Sequence, residues 1–336
     1  LNTMRTGLNS KWFDETKDLI ASTAEDGTLS ELQLKYWDFR FSNYCNLACT
    51  TCSPLFSTQW SKDFQKLHPG ADKYSDTQLI DLKEANVFWQ DIEEHLDTMK
   101  EIHFAGGEPL IMPEHWRILK MLEEKEKFDI DLRYSTNGTT LGTKKQDVME
   151  MWKKFNYVHL SISIDGEGDA FEHIRYKGKW DQTLVNLKKI RASRAVDYWF
   201  HPTVSILNIF RLTELHHELH INDLMPLESV HPLRGFHMEN YWVDRFHINP
   251  LFTPEYYSIT VLPELLKEQA ADKITKYGKK LEANTGIPFS GWQNIIDFMY
   301  QHDNSHLWKQ FKWKSKQIDD IRNTDVFELN PELRNG

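Results

Sequence analysis

The stretch Arg40–Pro54, RFSNYCNLACTTCSP, contains Cys45, Cys49 and Cys52, and these are the only cysteines in a chain of 336 residues. The spacing Cys-x-x-x-Cys-x-x-Cys puts three thiol donors on one loop, within reach of a single cofactor. It is not a disulfide framework, which pairs cysteines across wider spacings. A closed four-iron cube takes four thiolates, one per iron. Three leave one iron open to another ligand, by the logic that leaves a position open on catalytic zinc. Zinc closed by a histidine from elsewhere is the alternative, and a trio of small buried residues is the plainest one.

The loop follows a strand pattern, LQLKYWDFRFS (32–42), and further strand patterns recur along the chain. They are EIHFAGGEPL (101–110), DIDLRYSTNG (129–138), NYVHLSISIDG (156–166) and DYWFHPTVSIL (197–207), the last limited by Pro202. Helical spacing fills the intervals at 79–100, 114–127, 145–154, 180–193 and 209–220, with Pro113 suited to a first helical turn. Strands alternating with helices predict a parallel sheet, open or closed into a barrel. Residues 1–34 read as a polar N-terminal extension and 35–220 as the core. Residues 221–336 read as a C-terminal region, with a strand pair over 224–243 and helices over 253–286 and 292–322. His216 and His220 of LHHELH share a helix face, but Glu218 stands wrongly for either zinc-protease motif, so a solvated face is expected.

The bulk numbers narrow the function classes. Forty basic against fifty acidic residues leave a net charge of −10, which argues against bulk nucleic-acid or anionic-membrane binding. Twelve Trp, twelve Tyr and nineteen Phe exclude long disorder. No apolar run approaches the roughly 18 residues of a membrane span. The opening LNTMRTGLNSKWFDE lacks the apolar block of a signal peptide, and a cytoplasmic protein is expected.

Taken together, the motifs carry a resemblance. The cysteine loop, placed straight after the first strand, resembles the cluster-binding loop of the radical S-adenosylmethionine (SAM) superfamily. AGGEP (105–109) resembles its GGE motif, and STNG (135–138) the end of its third strand. SISIDG (161–166) with HIRYKGKWDQTLVNLKKI (173–190) resembles the fourth-strand region of the SPASM/twitch subgroup. The resemblance spans about residues 35–220. It implies an α/β fold, a partial (β/α)6 TIM-like barrel with a small C-terminal α+β cap.

The resemblance also implies a chemistry. Cys45, Cys49 and Cys52 would bind three irons of a [4Fe–4S] cluster, and the fourth iron would chelate SAM. One electron would then cleave SAM to a 5′-deoxyadenosyl radical that abstracts hydrogen from a substrate. Gly106 and Gly107 would let backbone approach the SAM amine, and Glu108 would accept a hydrogen bond from it. Ser135 and Asn137 would bond the ribose or carboxylate. Ser163 and Asp165, on one side of a strand, would reach SAM, and Arg175 would pair with its carboxylate. The substrate would be a peptide or protein, or else a small metabolite such as a sugar or aminocyclitol. The electron donor would be of the flavodoxin or ferredoxin kind. A scaffold that kept the fold without turnover is the competing class. Two departures stand out: Thr51 replaces the aromatic residue usual before the third cysteine, and residues 221–336 carry no cysteine for an auxiliary cluster.

Overall fold

The computed structural model describes residues 11–29, 31–70, 86–193, 195–226, 245–286 and 290–336. Its centre is a sheet of five parallel strands, β1 (Tyr36–Phe39), β2 (Glu101–Phe104), β3 (Asp131–Thr136), β4 (Tyr157–Ile162) and β5 (Asp197–Phe200), neighbouring one another in chain order. Tyr36 lies opposite Glu101, Glu101 opposite Asp131, and Asp131 opposite Tyr157. This register brings the C-terminal ends of the strands to one edge. The cysteine loop, GGEP, STNG and SIDG therefore emerge side by side, although they lie far apart in sequence.

The strand pattern has period two, and the two faces of the sheet differ accordingly. Ile102, Phe104, Leu132, Tyr134, Val158, Leu160, Ile162 and Phe200 are buried. They share one core with residues of the helices α1 (Asn86–His95), α2 (Pro113–Glu124), α3 (Val148–Trp152), α4 (Trp180–Ala192) and α5 (Leu212–Ile221). The helices present apolar stripes to that core, such as Ile118, Leu119 and Leu122 of α2 and Leu212, Leu215 and Leu219 of α5. The alternate positions Asp38, Glu101, His103, Arg133, Ser135, His159, Ser161 and Trp199 line a cavity of about 540 Å³ inside the curve of the sheet.

Several elements differ from expectation for local reasons. The strand expected over 197–207 breaks after Phe200, because Pro202 offers no N–H, and resumes as β6 (Thr203–Val204). Beyond α5 the chain returns to the same edge. Phe246 bridges Phe200 in parallel, and β7 (Asn249–Pro250) pairs in parallel with β6. The sixth position of the partial barrel is thus filled from beyond residue 220. α3 is shorter than expected because Asp147 caps it, its carboxylate accepting from Met149 N at 2.9 Å. Much of the strand pair expected over 224–243 lies outside the described residues, as do the polar residues His237, Glu239, Tyr241 and Asp244 on and beside it. The stretch 292–322 forms two helices, α7 (Ser290–Gln301) and α8 (Trp308–Arg322), preceded by α6 (Glu264–Thr285). Leu266, Trp292 and Phe311 of these helices join the same core as the barrel. The solvated face expected for LHHELH is corrected at His216, which is buried and bonded to Tyr277 Oη at 2.8 Å; α6 and α7 cover that side of α5. Among the described residues no helix is long and apolar enough to cross a membrane.

A buried ion pair fastens the sixth strand position. Arg245 Nη1 donates to Asp197 Oδ1 at 2.7 Å, and Arg245 Nε to the Pro226 carbonyl at 2.9 Å. Removing one partner of such a pair strands the other charge in the interior. Arg245→Leu is expected to destabilise the chain by about 3–5 kcal/mol in urea unfolding. A loss below about 1 kcal/mol, the range of an exposed pair, would show that the pair is solvated.

Candidate functional site

Ten of the eleven residues singled out in the sequence meet at one cavity. Cys45, Cys49, Cys52, Gly106, Gly107, Ser135, Asn137, Ser163, Asp165 and Arg175 line a space of about 360 Å³ at the C-terminal edge of the sheet. Thr203, where the fifth strand resumes, and Leu251 and Thr253, at the sixth strand position, complete it; the sequence reading assigned none of the three to the site. Thr51 lines it without a ring, and Phe56 brings an aromatic side chain to the same wall.

Glu108 is the exception, and its placement explains how the motifs are held together. It is fully buried, and its Oε1 accepts from Thr136 Oγ1 at 2.8 Å and Leu110 N at 3.2 Å. Its Oε2 accepts from Asn137 N at 2.8 Å. Its own N–H donates to the Tyr44 carbonyl at 2.8 Å. One residue thus ties the cysteine loop, GGEP and STNG to one another. Gly107 lies against the same loop: a Cβ there would sit 2.2 Å from the Tyr44 carbonyl oxygen. Gly106 adopts φ +108°, and a Cβ on it would meet Ser42 O at 2.9 Å. The Gly-Gly pair is therefore required by the close approach of the cysteine loop itself. Asn137 bridges as well, donating to Asn46 Oδ1 at 2.9 Å and accepting from Thr139 N at 2.9 Å.

The opposite side of the loop is fastened to residues 173–176. Ala48 N donates to Tyr176 O at 3.0 Å and Thr50 N to Ile174 O at 2.7 Å. That segment delivers Arg175, whose Nε pairs with Asp165 Oδ2 at 2.6 Å and whose Nη1 lies 3.8 Å from Cys49 Sγ. Asp165 Oδ1 also accepts from Thr203 N at 2.8 Å. Ser135 Oγ contacts His103 Nε2 at 3.0 Å, and His103 Nδ1 contacts Asp38 Oδ2 at 3.1 Å, so a polar chain runs from the cavity into the lumen.

The donor set fits an iron–sulfur cluster. Burial, and then the neighbouring Cys49, push the Cys45 and Cys52 thiols up to about 12. Burial pushes Cys49 up too, against the pull of Arg175. Three thiolates so placed demand positive charge between them, and a bound metal centre supplies it, deprotonating its ligands outright. Among the described residues no three His, Cys, Asp or Glu side chains converge on a point for one metal ion. A cluster that takes one thiolate per iron needs no such convergence.

A family model described as the radical SAM superfamily matches residues 39–223, more than half of the chain. The chain belongs to the radical SAM superfamily. That family uses a [4Fe–4S] cluster and SAM. GTP 3′,8-cyclase 1 of Mycobacterium tuberculosis is 24% identical over 194 residues, 56% of this chain and 48% of that protein. GTP 3′,8-cyclase of Campylobacter lari is 25% identical over 133 residues, 39% of this chain and 35% of that protein. The chain spans about half the length or less of these curated relatives. Among solved structures, SuiB of Streptococcus suis aligns over 81% of this chain and 53% of its own, with a TM-score of 0.44 and 16% identity. A structure described as anSMEcpe with bound AdoMet aligns over 75% of this chain and 60% of its own, with a TM-score of 0.47 and 13% identity.

The site gives two expectations. Gly107→Ala is expected to cost about 1–3 kcal/mol, as overpacking does, while Gly291→Ala, with open space at its Cβ, should leave stability unchanged or raised. Equal melting curves for the two variants would disprove the close approach at Tyr44. Burial also pushes the Glu108 carboxyl up to about 7, against three hydrogen bonds that pull it down. A carboxyl raised in the folded state contributes stability below its unfolded pKa and loses it as pH rises through the folded value. Stability of the cofactor-free chain should therefore fall between about pH 4.5 and 7, by up to roughly 3 kcal/mol. Glu108→Gln should flatten that part of the curve, and an unchanged slope would clear Glu108 as its source.

Proposed function

We propose that the protein is a radical SAM enzyme whose cluster is held by Cys45, Cys49 and Cys52 and whose substrate is a small polar molecule received in the barrel lumen. The observation that carries the first part is the single cavity shared by the buried Cys45, the half-buried Cys49 and Cys52, and residues of GGEP, STNG and SIDG. When bound, the cluster would supply an open iron and one electron to SAM, giving methionine and the 5′-deoxyadenosyl radical that abstracts hydrogen from substrate.

The residues of the chain then have separable roles. Gly106 and Gly107 present backbone to the cavity because no Cβ stands in the way. Arg175, held by Asp165, offers a fixed guanidinium for a carboxylate such as that of SAM. Ser135, Asn137 and Ser163 offer hydroxyl and amide groups at the strand ends for a ribose or an amino-acid moiety. Phe56 is the aromatic surface available to adenine where Thr51 offers none. Glu108 acts through the loop it fastens.

The sequence resemblance favours a peptide or protein substrate, and a small metabolite is its alternative. The lumen supports the alternative. Its volume of about 540 Å³ is that of a small-molecule pocket, and polar groups of Asp38, Glu101, His103, Arg133, His159 and His201 stand among the rings of Tyr36, Tyr134 and Trp199 in its walls. Burial lowers the His159 pKa to about 3, so that ring is a neutral hydrogen-bonding group at physiological pH. Reductant would come from an electron donor of the flavodoxin or ferredoxin class, in a cytoplasmic setting.

Anaerobic reconstitution should load about four irons and four sulfides per chain. Dithionite and SAM should then release 5′-deoxyadenosine, and Cys45→Ala, Cys49→Ala or Cys52→Ala should abolish the release. A protein that loads iron yet never cleaves SAM would instead be the scaffold.

A further inference from the structure

We propose that Arg322, in the last turn of α8, is a positioning residue that compensates the charge of the cluster at Cys45, Cys49 and Cys52 and raises its reduction potential. The inference rests on the reading of the cysteine site given above. It assigns a role to a C-terminal helix that contributes no ligand.

Arg322 is a cation with a side chain only 1% exposed. Its Nε donates to Asp63 Oδ2 at 3.0 Å. Its Nη1 donates at 3.0 Å to the hydroxyl of Thr50, which stands between Cys49 and Cys52 and passes its own hydrogen to the His173 carbonyl. The guanidinium lies over the rings of Tyr176 at 4.3 Å and Trp60 at 4.8 Å. Both of those residues grip the cysteine loop, Trp60 through Nε1 to Cys49 O at 2.8 Å and Tyr176 through its carbonyl to Ala48 N at 3.0 Å. Nη2 is buried with no acceptor among the described residues.

Burying a cation costs several kcal/mol unless charge compensates it. Asp63 takes one edge of the guanidinium, and the orphan Nη2 leaves part of the charge uncommitted. The guanidinium stands directly behind the cysteine loop, one hydrogen bond from Thr50, the residue that follows Cys49. A four-iron cluster on three thiolates is anionic and gains one more negative charge on reduction. Net charge and surroundings set its potential, so a buried cation behind the loop stabilises the reduced form.

The test is a redox titration of reconstituted protein with dithionite, the reduced cluster being followed by electron paramagnetic resonance. At the potential where half of the wild-type clusters are reduced, Arg322→Gln should lower the reduced-to-oxidised ratio about threefold or more, which is about 28 mV for one electron. Arg322→Lys, which keeps the charge, should stay near wild type. Asp63→Asn, which keeps Arg322 and removes its counter-charge, should raise the ratio. Opposite shifts are not produced by a merely structural role. Equal ratios in Arg322→Gln and wild type overturn the proposal. If Arg322→Gln takes up no cluster, Asp63→Asn decides: an unchanged or lowered ratio overturns it. Wild-type protein that takes up no iron defeats the cluster reading itself, a separate result.

Discussion

The arrangement of the site depends on one buried carboxylate. Glu108 meets the backbone of the cysteine loop through its N–H and the end of β3 through both carboxylate oxygens. Without it, three loops that leave three different strands would have only the sheet register in common. Register aligns the strand ends, but it does not orient the loops that leave them. A buried acid with every bond directed at backbone or a neighbouring hydroxyl does so, because a misplaced partner would leave it unsatisfied at a cost of about 1–3 kcal/mol. Gly107 acts in the same place by subtraction, since any larger residue would force the cysteine loop off the sheet end.

The sheet shows a second constraint. Parallel strands covered on both faces read as continuous apolar runs. Here Asp38, His103, Arg133, His159 and Ser161 alternate with fully buried apolar residues. The polar groups hold one another: Arg133 pairs with Glu101 at 2.6 Å, Arg40 with Asp38 at 2.9 Å, and Ser161 with His201 at 3.0 Å. Such a lumen is worse for packing than a layered apolar core. Its polar chain runs through Ser135 to the cavity beside the three cysteines.

This pattern also marks how much was legible in the sequence. The five strands could be read because periodicity and local turn chemistry are short-range signals, and the barrel and the cofactor motifs through their resemblance to a known family. The polar side of the strands was legible too, in the alternation of DIDLRYS and YVHLSIS, had the polar positions been read as a lumen and not as gaps in an apolar pattern. The sixth strand position was implied by the resemblance but not located in the sequence, because it is only a few residues long and is held by Arg245 reaching back to Asp197 across 48 positions. His216 was misassigned because its cover, Tyr277 and Trp292, comes from helices much later in the chain. Long-range partners leave no local signature.

The same reasoning accounts for the C-terminal helices. Three thiols are crowded and desolvated in one loop, and the apoprotein has reason to expel them. The loop is kept closed by anchors on both sides, Glu108 and Asn137 on one and residues 173–176 on the other. The second anchor is itself secured from α8: His173 Nε2 lies 2.9 Å from Asp319 Oδ1, and Asp319 also accepts from Thr324 Oγ1 and Val326 N. Arg322 is one turn further on and reaches Asp63 and Thr50 from the same helix. In this chain the outer wall of the cysteine loop comes from residues 315–326, so the C-terminal segment belongs physically to the site although it contributes no ligand.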